Sequence, residues 1–436
     1  MNMLARLTDP VRRIVGGDRL AGGIEQLISS AVSMLGLIVL SRVMPIDEFG
    51  MLSGAVGIWL TMEMVQHAVV ISPFVVSCPE PRDSPRIFGA WILWNLVLAV
   101  LTCVAFILLG ALLAPMLPVL GTSLGVAGPL ALAGMAYMFS RRVQYHLRER
   151  GKLLAQAGLY GLSYATALGL VILFADRVDL TSGALVLCAA YAVPALVFNL
   201  LLFRHGRPDR QAVHHISKAG HLIARLGAAS MLWQSSYTIS LIALTVWSTP
   251  AAIAVYTVTR TLVRPVTLLI STVCDVDFSR ASRALSQGGK QALRPVIADS
   301  GRVLLLLTAL PIALLLAFPG FFLNLLFGPQ YAHATLELQL WTLLFIPLVY
   351  VAVLDIGLTV QRDLSFLIRA HAVSLATGLV LLSSFVLLGQ LTAATALISL
   401  IFARAVSAPL MHFRYRSLLK DATPPAFGTP ASAHVQ

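Results

Sequence analysis

Two arginines, Arg260 and Arg264, stand four residues apart in an apolar stretch of this 436-residue chain. Residues four apart share one face of a helix. Two guanidinium groups on one face repel each other unless an anion lies between them. The planar guanidinium fork grips phosphate and carboxylate through paired hydrogen bonds. Two readings follow, and they are compatible. In one, Arg260 and Arg264, with Arg42, line a cavity that receives an anionic headgroup. In the other, they form internal salt bridges, for instance with Glu63.

Glu63 is itself unusual, because it lies midway along an apolar run. A charged side chain inside a bilayer costs roughly 2.5–3.5 kcal/mol on insertion scales, so it normally faces a bundle interior or a watery cavity. With Gln66 and His67 it makes a polar stripe at helical spacing. That stripe can line a cavity and couple transport to a cation, or hold helices together by hydrogen bonds. Asp355 is a second candidate for coupling, or a salt-bridge partner for Arg362. Asp275 and Asp277 lie beside Arg280 and Arg283, and Arg404 falls within a late apolar run. The four cysteines, Cys78, Cys103, Cys188 and Cys274, are scattered without metal-ligand spacing. His214, His215 and His221 sit in a polar stretch. No phosphate-binding loop, no catalytic triad and no paired carboxylates in a soluble loop occur, so neither catalytic residues, a metal nor a cofactor is expected.

The elements that must position these residues are membrane spans. The chain is 58% hydrophobic and 11% charged, against about 25% charged in soluble domains. Apolar runs of about 20 residues fit helices rather than the short alternating strands of a barrel. They cover residues 24–44, 50–73, 87–114, 119–139, 153–175 and 180–203, then 223–247, 251–277, 301–322, 334–360, 366–388 and 391–413. The fold class is therefore all-α: a polytopic membrane protein of about twelve transmembrane helices in two pseudo-symmetric six-helix bundles. The expected divisions are a cytoplasmic segment 1–23, an N-terminal lobe 24–203, a cytoplasmic linker 204–222, a C-terminal lobe 223–413 and a disordered tail 414–436. The segment 1–23 has an amphipathic pattern (Leu4, Leu7, Val11, Ile14 and Val15, with Arg6, Arg12 and Arg13) that suits the inner headgroup layer.

Charge sets the orientation. With the N-terminus inside, 25 of the 31 lysines and arginines fall in inside segments and one, Arg177, in an outside loop. The net charge of +12 then reads as a topology signal that favours anionic membrane lipids, not nucleic acid. Both termini are expected in the cytoplasm. The outer connections are barely turns, apart from 323–333, which leaves no outer domain to hold an active site. Both halves open their second span on proline: Pro45 precedes Met51 as Pro250 precedes Tyr256. Matched span counts and this register suggest a parallel internal repeat.

Several short motifs now bear comparison with a known family. Residues 41–53, Ser-Arg-Val-Met-Pro-Ile-Asp-Glu-Phe-Gly-Met-Leu-Ser, resemble the junction of spans one and two in the polysaccharide exporters of the MOP superfamily, the Wzx-type lipid-linked oligosaccharide flippases. Residues 325–334, Leu-Leu-Phe-Gly-Pro-Gln-Tyr-Ala-His-Ala, resemble that family's loop between spans nine and ten, and Val255-Tyr256 matches near the start of span eight. Cys274-Asp-Val-Asp277 stands where the family often has a proline, and Ile71-Ser-Pro-Phe74 also departs from the pattern. The resemblance implies a MATE/MOP-like fold around a cationic cavity. It implies alternating access that carries an undecaprenyl-pyrophosphate-linked glycan, such as an exopolysaccharide, O-antigen or capsule unit, across a bacterial inner membrane. Its partners would be the lipid-linked saccharide and other polysaccharide assembly proteins. Two other readings are kept. A MATE-like cation or drug antiporter shares the fold, but the central arginines disfavour cations. A membrane glycosyltransferase or polymerase would need an outer domain that the short turns do not provide.

Overall fold

The computed structural model describes residues 17–71, 73–74, 85–147, 149–204, 237–361 and 363–420. The amphipathic start, the histidines of the linker, Cys78, Arg362 and the end of the tail lie outside these residues. The described part is helical, with no strand among the described residues.

The helices are α1 (Gly17–Val43), α2 (Ile46–Gln66), α3 (Pro85–Leu113), α4 (Pro118–Leu147), α5 (Arg150–Phe174) and α6 (Leu180–Phe203). Tyr237–Trp247 is the described part of α7. There follow α8 (Pro250–Ala317), α9 (Pro319–Phe327), α10 (Thr335–Val360), α11 (Leu364–Leu387) and α12 (Ala393–Lys420). Eleven segments are long and apolar enough to cross a membrane, two of them within α8. The chain is a multi-pass membrane protein with eleven candidate spans among the described residues; residues 223–236 of the expected seventh span lie outside them.

Local chemistry explains several helix ends. Pro45 stands immediately before α2, and Asp47 and Glu48 fill its first turn, where the positive end of the helix dipole favours acids. Asp179 caps α6: its Oδ1 accepts from the Ser182 backbone N–H at 2.8 Å, and the Ser182 hydroxyl accepts from the Asp179 N–H at 2.8 Å. Those bonds from Ser182 hold the Asp179 carboxyl below its usual range. α8 continues past its first span and breaks at Gly289, whose φ of 64° suits glycine. α2 ends in a single π-helical turn, His67–Ile71.

Two expected boundaries move for a physical reason. α4 runs to Leu147 and α5 starts at Arg150, so Arg141, Arg142, Arg150 and Lys152 lie on helices rather than in an inner loop. α12 reaches Lys420, into the segment expected to be a tail. Arg414 there donates to Asp363 at 2.7 Å and lies over the Phe366 ring, and Tyr415 packs on Gly357.

The chain forms two compact units. The first holds residues 1–261, 320–337 and 382–397; the second holds 262–319, 338–381 and 398–436. In the first unit α4 is the hub, packed by α2, α3 and α6, while α1 lies along α5. Its interior is aromatic, with Trp59, Trp91, Tyr137, Tyr160, Phe49 and Phe139 fully buried. Leucines such as Leu108 and Leu112 of α3 stay exposed, as a lipid-facing surface requires.

Close helix contact in this core depends on a missing side chain. A Cβ at Gly134 would lie 2.4 Å from the Trp59 ring, and the buried indole has no free space to retreat into. Gly134→Val should destabilise the protein by about 1–3 kcal/mol, the usual cost of overpacking. A clear fall in Tm in detergent is the expected reading, and an unchanged Tm would contradict this packing.

Candidate functional site

The first unit holds a buried charge network that begins on α1. The Glu25 carboxylate is 1% exposed and accepts four hydrogen bonds. Its Oε1 takes the Ser29 hydroxyl at 2.8 Å and Arg141 Nε at 2.7 Å. Its Oε2 takes Arg141 Nη2 at 2.7 Å and the Tyr145 hydroxyl. The same Nη2 reaches Gln26 Oε1, and the guanidinium lies over the Tyr145 ring. A two-pronged ion pair thus ties α1 to α4. Its donors and acceptors are matched, as a desolvated pair needs.

Towards the middle of the bundle this network meets a tyrosine cluster. Tyr137, Tyr160 and Tyr191 have ring centroids 5.3–5.5 Å apart. Trp59 joins at 6.0 Å from Tyr191, and the Tyr160 hydroxyl is 3.0 Å from Ser33 Oγ. Glu63, one turn beyond Trp59 on α2, lies close enough to Arg142 and Tyr191 to interact with them electrostatically. Arg142 of α4 thus lies within electrostatic reach of Glu63, a neighbour that the sequence reading did not name. Gln66 is a tie between helices: its Nε2 donates to Asn95 Oδ1 and to the Met135 carbonyl, both at 2.6 Å. That is the bonding role among its two readings.

The other expected site residues are spread along the chain. Arg260 and Arg264 are both half-buried and one turn apart on α8. Arg260 belongs to the first unit and is near Tyr256, whose hydroxyl donates to the Tyr237 carbonyl at 3.4 Å. Arg42 stands at the end of α1 with its guanidinium on the backbone carbonyls of Leu325 and Leu326. Asp355, in the second unit, faces His371 with Nε2 3.6 Å from Oδ1. Asp277 meets Arg280 at 2.9 Å, as the sequence spacing suggested, and Arg280 also reaches Asp299 at 3.0 Å. Both carboxylates raise the Arg280 pKa, the Asp277 bond most. Arg404 is 1% exposed. Among the described residues no three His, Cys, Asp or Glu side chains come together as a metal site would require.

Sequence reasoning passed over Glu25 and Arg141. Glu25 sits in the first polar turn of a span, where an acid looks like a solvated helix end. Arg141 was counted among inside-loop cations. The available signal was slight: Val143, Tyr145 and Leu147 after Arg141 let the helix continue beyond residue 139, among the polar Arg142, Gln144 and His146.

The ion pair makes a testable demand. Glu25→Ala leaves the Arg141 charge buried and unpaired, a loss of about 3–5 kcal/mol. The double substitution Glu25→Ala with Arg141→Leu should recover much of it. Unfolding midpoints in detergent would show this, and equal losses in single and double variants would contradict it.

The sequence matches no protein-family profile and no curated protein sequence. Solved structures match over almost the whole chain. The structure of "Lipid II flippase MurJ, inward closed conformation" aligns with a TM-score of 0.72 at 8% identity, covering 90% of this chain and 87% of that one. An inward-facing multidrug resistance MATE family transporter of the MOP superfamily aligns with a TM-score of 0.64 at 13% identity, covering 93% and 100%. A MOP superfamily transporter from Pyrococcus furiosus, whose title notes a binding pocket of reverse polarity, aligns with a TM-score of 0.55 at 14% identity, covering 92% and 93%. At such identities the likeness concerns the path of the chain: this protein has the fold of the MOP-superfamily transporters.

Proposed function

We propose that this protein is a transporter, not an enzyme, and that it moves a lipid-linked oligosaccharide with a pyrophosphate headgroup across a bacterial inner membrane. The observation that carries this reading is the pair Arg260 and Arg264, one turn apart and half-buried on a membrane-spanning helix. Two guanidinium groups on one face of a span favour an anion close by, and a pyrophosphate offers the paired oxygen acceptors that guanidinium forks match. The fold likeness to a structure named as a lipid II flippase supports the same reading. The short turns at one end support it too, since they hold no domain for sugar chemistry. In this reading the arginine-rich end faces the cytoplasm and the short-turn end faces outward.

The physical task is to carry a charged, hydrated headgroup over about 30 Å of hydrocarbon. A cationic interior lowers that barrier while the polyprenyl tail remains in lipid. Alternating access would bring the headgroup to Arg260 and Arg264 from the inner leaflet and release it to the outer one. Anionic lipids would surround the arginine-rich end.

A second reading, an antiporter of cationic small molecules, draws on Glu63 and on the likeness to MATE structures. The two differ in the sign of the charge that binds.

Arg260→Ala with Arg264→Ala should lower flipping of a pyrophosphate-linked glycolipid in proteoliposomes at least tenfold, while insertion and Tm stay normal. Arg→Lys at both positions should fall between, because charge remains but the fork is lost. Unchanged flipping in the double alanine variant would remove the anion site. Uptake of a lipophilic cation that depends on Glu63 would favour the antiporter instead.

A further inference from the structure

The first unit includes short pieces of the second half of the chain, residues 320–337 and 382–397. These pieces lie around the turns at the short-turn end, and what holds them there is specific. α9 ends at Phe327, and Pro329 follows Gly328. In a helix the Leu325 carbonyl would accept from the N–H four residues on, but that residue is Pro329, which has none. Arg42 supplies the missing donor: its Nη2 bonds the Leu325 carbonyl, and its Nε bonds the Leu326 carbonyl at 2.7 Å.

The same arrangement occurs in reverse on α1. The Ser41 carbonyl would accept from residue 45, which is Pro45. Gln330, next to Pro329, donates to it through Nε2 at 2.5 Å. Each stretch therefore has a carbonyl orphaned by a proline, and each donates a side chain to the other's orphan. Around this exchange Tyr331 is buried between Phe49 and Phe327, with ring centroids 6.4 and 6.2 Å away. The same end is closed by backbone contact. A Cβ at Gly50 would fall 1.9 Å from the Pro250 carbonyl oxygen, and Gly54 meets Thr245 and Ser123. Thr245, on α7, is 1% exposed.

We propose that this reciprocal exchange, Arg42 on Leu325 and Leu326 and Gln330 on Ser41, is the latch that holds the short-turn mouth shut, and that its release opens that side to substrate. The bonds suit such a device. The Arg42 contact is exposed to solvent, so water can take over both carbonyls when it breaks. The Tyr331 hydroxyl is buried without a hydrogen-bond partner, and opening would satisfy it. Closure thus combines a few polar bonds with a tight backbone seam and the buried rings of Phe49, Phe327 and Tyr331. The proposal rests on the transporter reading above but is tested without measuring transport.

The experiment uses the full chain with its four cysteines changed to serine and Thr245→Cys as reporter, in vesicles of known orientation. A membrane-impermeant maleimide is added at the short-turn side. Slow labelling is expected with the latch intact. Arg42→Ala with Gln330→Ala should raise the rate at least fivefold. Arg42→Lys, which keeps the charge but cannot span both carbonyls, should raise it less. If the double variant is not recovered folded, Arg42→Lys and Gln330→Glu singly must each raise labelling. Unchanged labelling in the recovered variants overturns the latch. Increased labelling, with flipping absent even from the cysteine-substituted protein that keeps Arg42 and Gln330, overturns the transporter reading and leaves the latch standing.

Discussion

A peptide group inside hydrocarbon has no water to bond with, so the chain must satisfy every backbone N–H and C=O from within. Helices do this along their length and fail at their ends. This constraint governs where the structure can be irregular. The described connections are turns of a few residues, and some helix ends are helped by side chains. Asp179 with Ser182 does this within one segment. Arg42 and Gln330 do it between segments nearly three hundred residues apart.

The interior of the first unit follows the same rule for side chains. Glu25 and Arg141 are both removed from water, yet every carboxylate oxygen is bonded twice. Gln66, Asn199 and Gln156 each donate to a carbonyl on α4. α4 is thus held by polar ties on several sides as well as by aromatic packing. A hub of this kind suits a rigid body. The pair also fixes the angle at which α1 leaves the bundle, because two bonds to one guanidinium permit little rotation.

The eleven described spans were legible because the bilayer imposes one strong rule on composition, and runs such as 87–114 obey it plainly. Pro45 and Pro250 were legible as helix starts because proline acts through its own backbone. Pairings were not legible. Nothing local in the sequence joins Glu25 to Arg141 across 116 residues, and nothing brings Arg142 to mind as a neighbour of Glu63. Asp355 faces His371 of the next helix, which no local pattern announces; Arg362, its expected neighbour, lies outside the described residues. Arg42 was legible as important but not as a donor to backbone, since an orphaned carbonyl becomes visible only when two helix ends meet. Sequence shows which groups are costly to bury; the fold decides which partner offsets each cost.

The exchange at the short-turn end has a consequence for how this chain can change over time. The need for Arg42 arises at Pro329, and the need for Gln330 arises at Pro45. A residue with an amide hydrogen at either proline would let the helix serve its own carbonyl, and the distant donor would lose its purpose. The four positions should therefore drift together, with substitutions at a proline making losses at its far partner tolerable. Two residues defined by an absent hydrogen would set the evolutionary linkage between two remote parts of the chain.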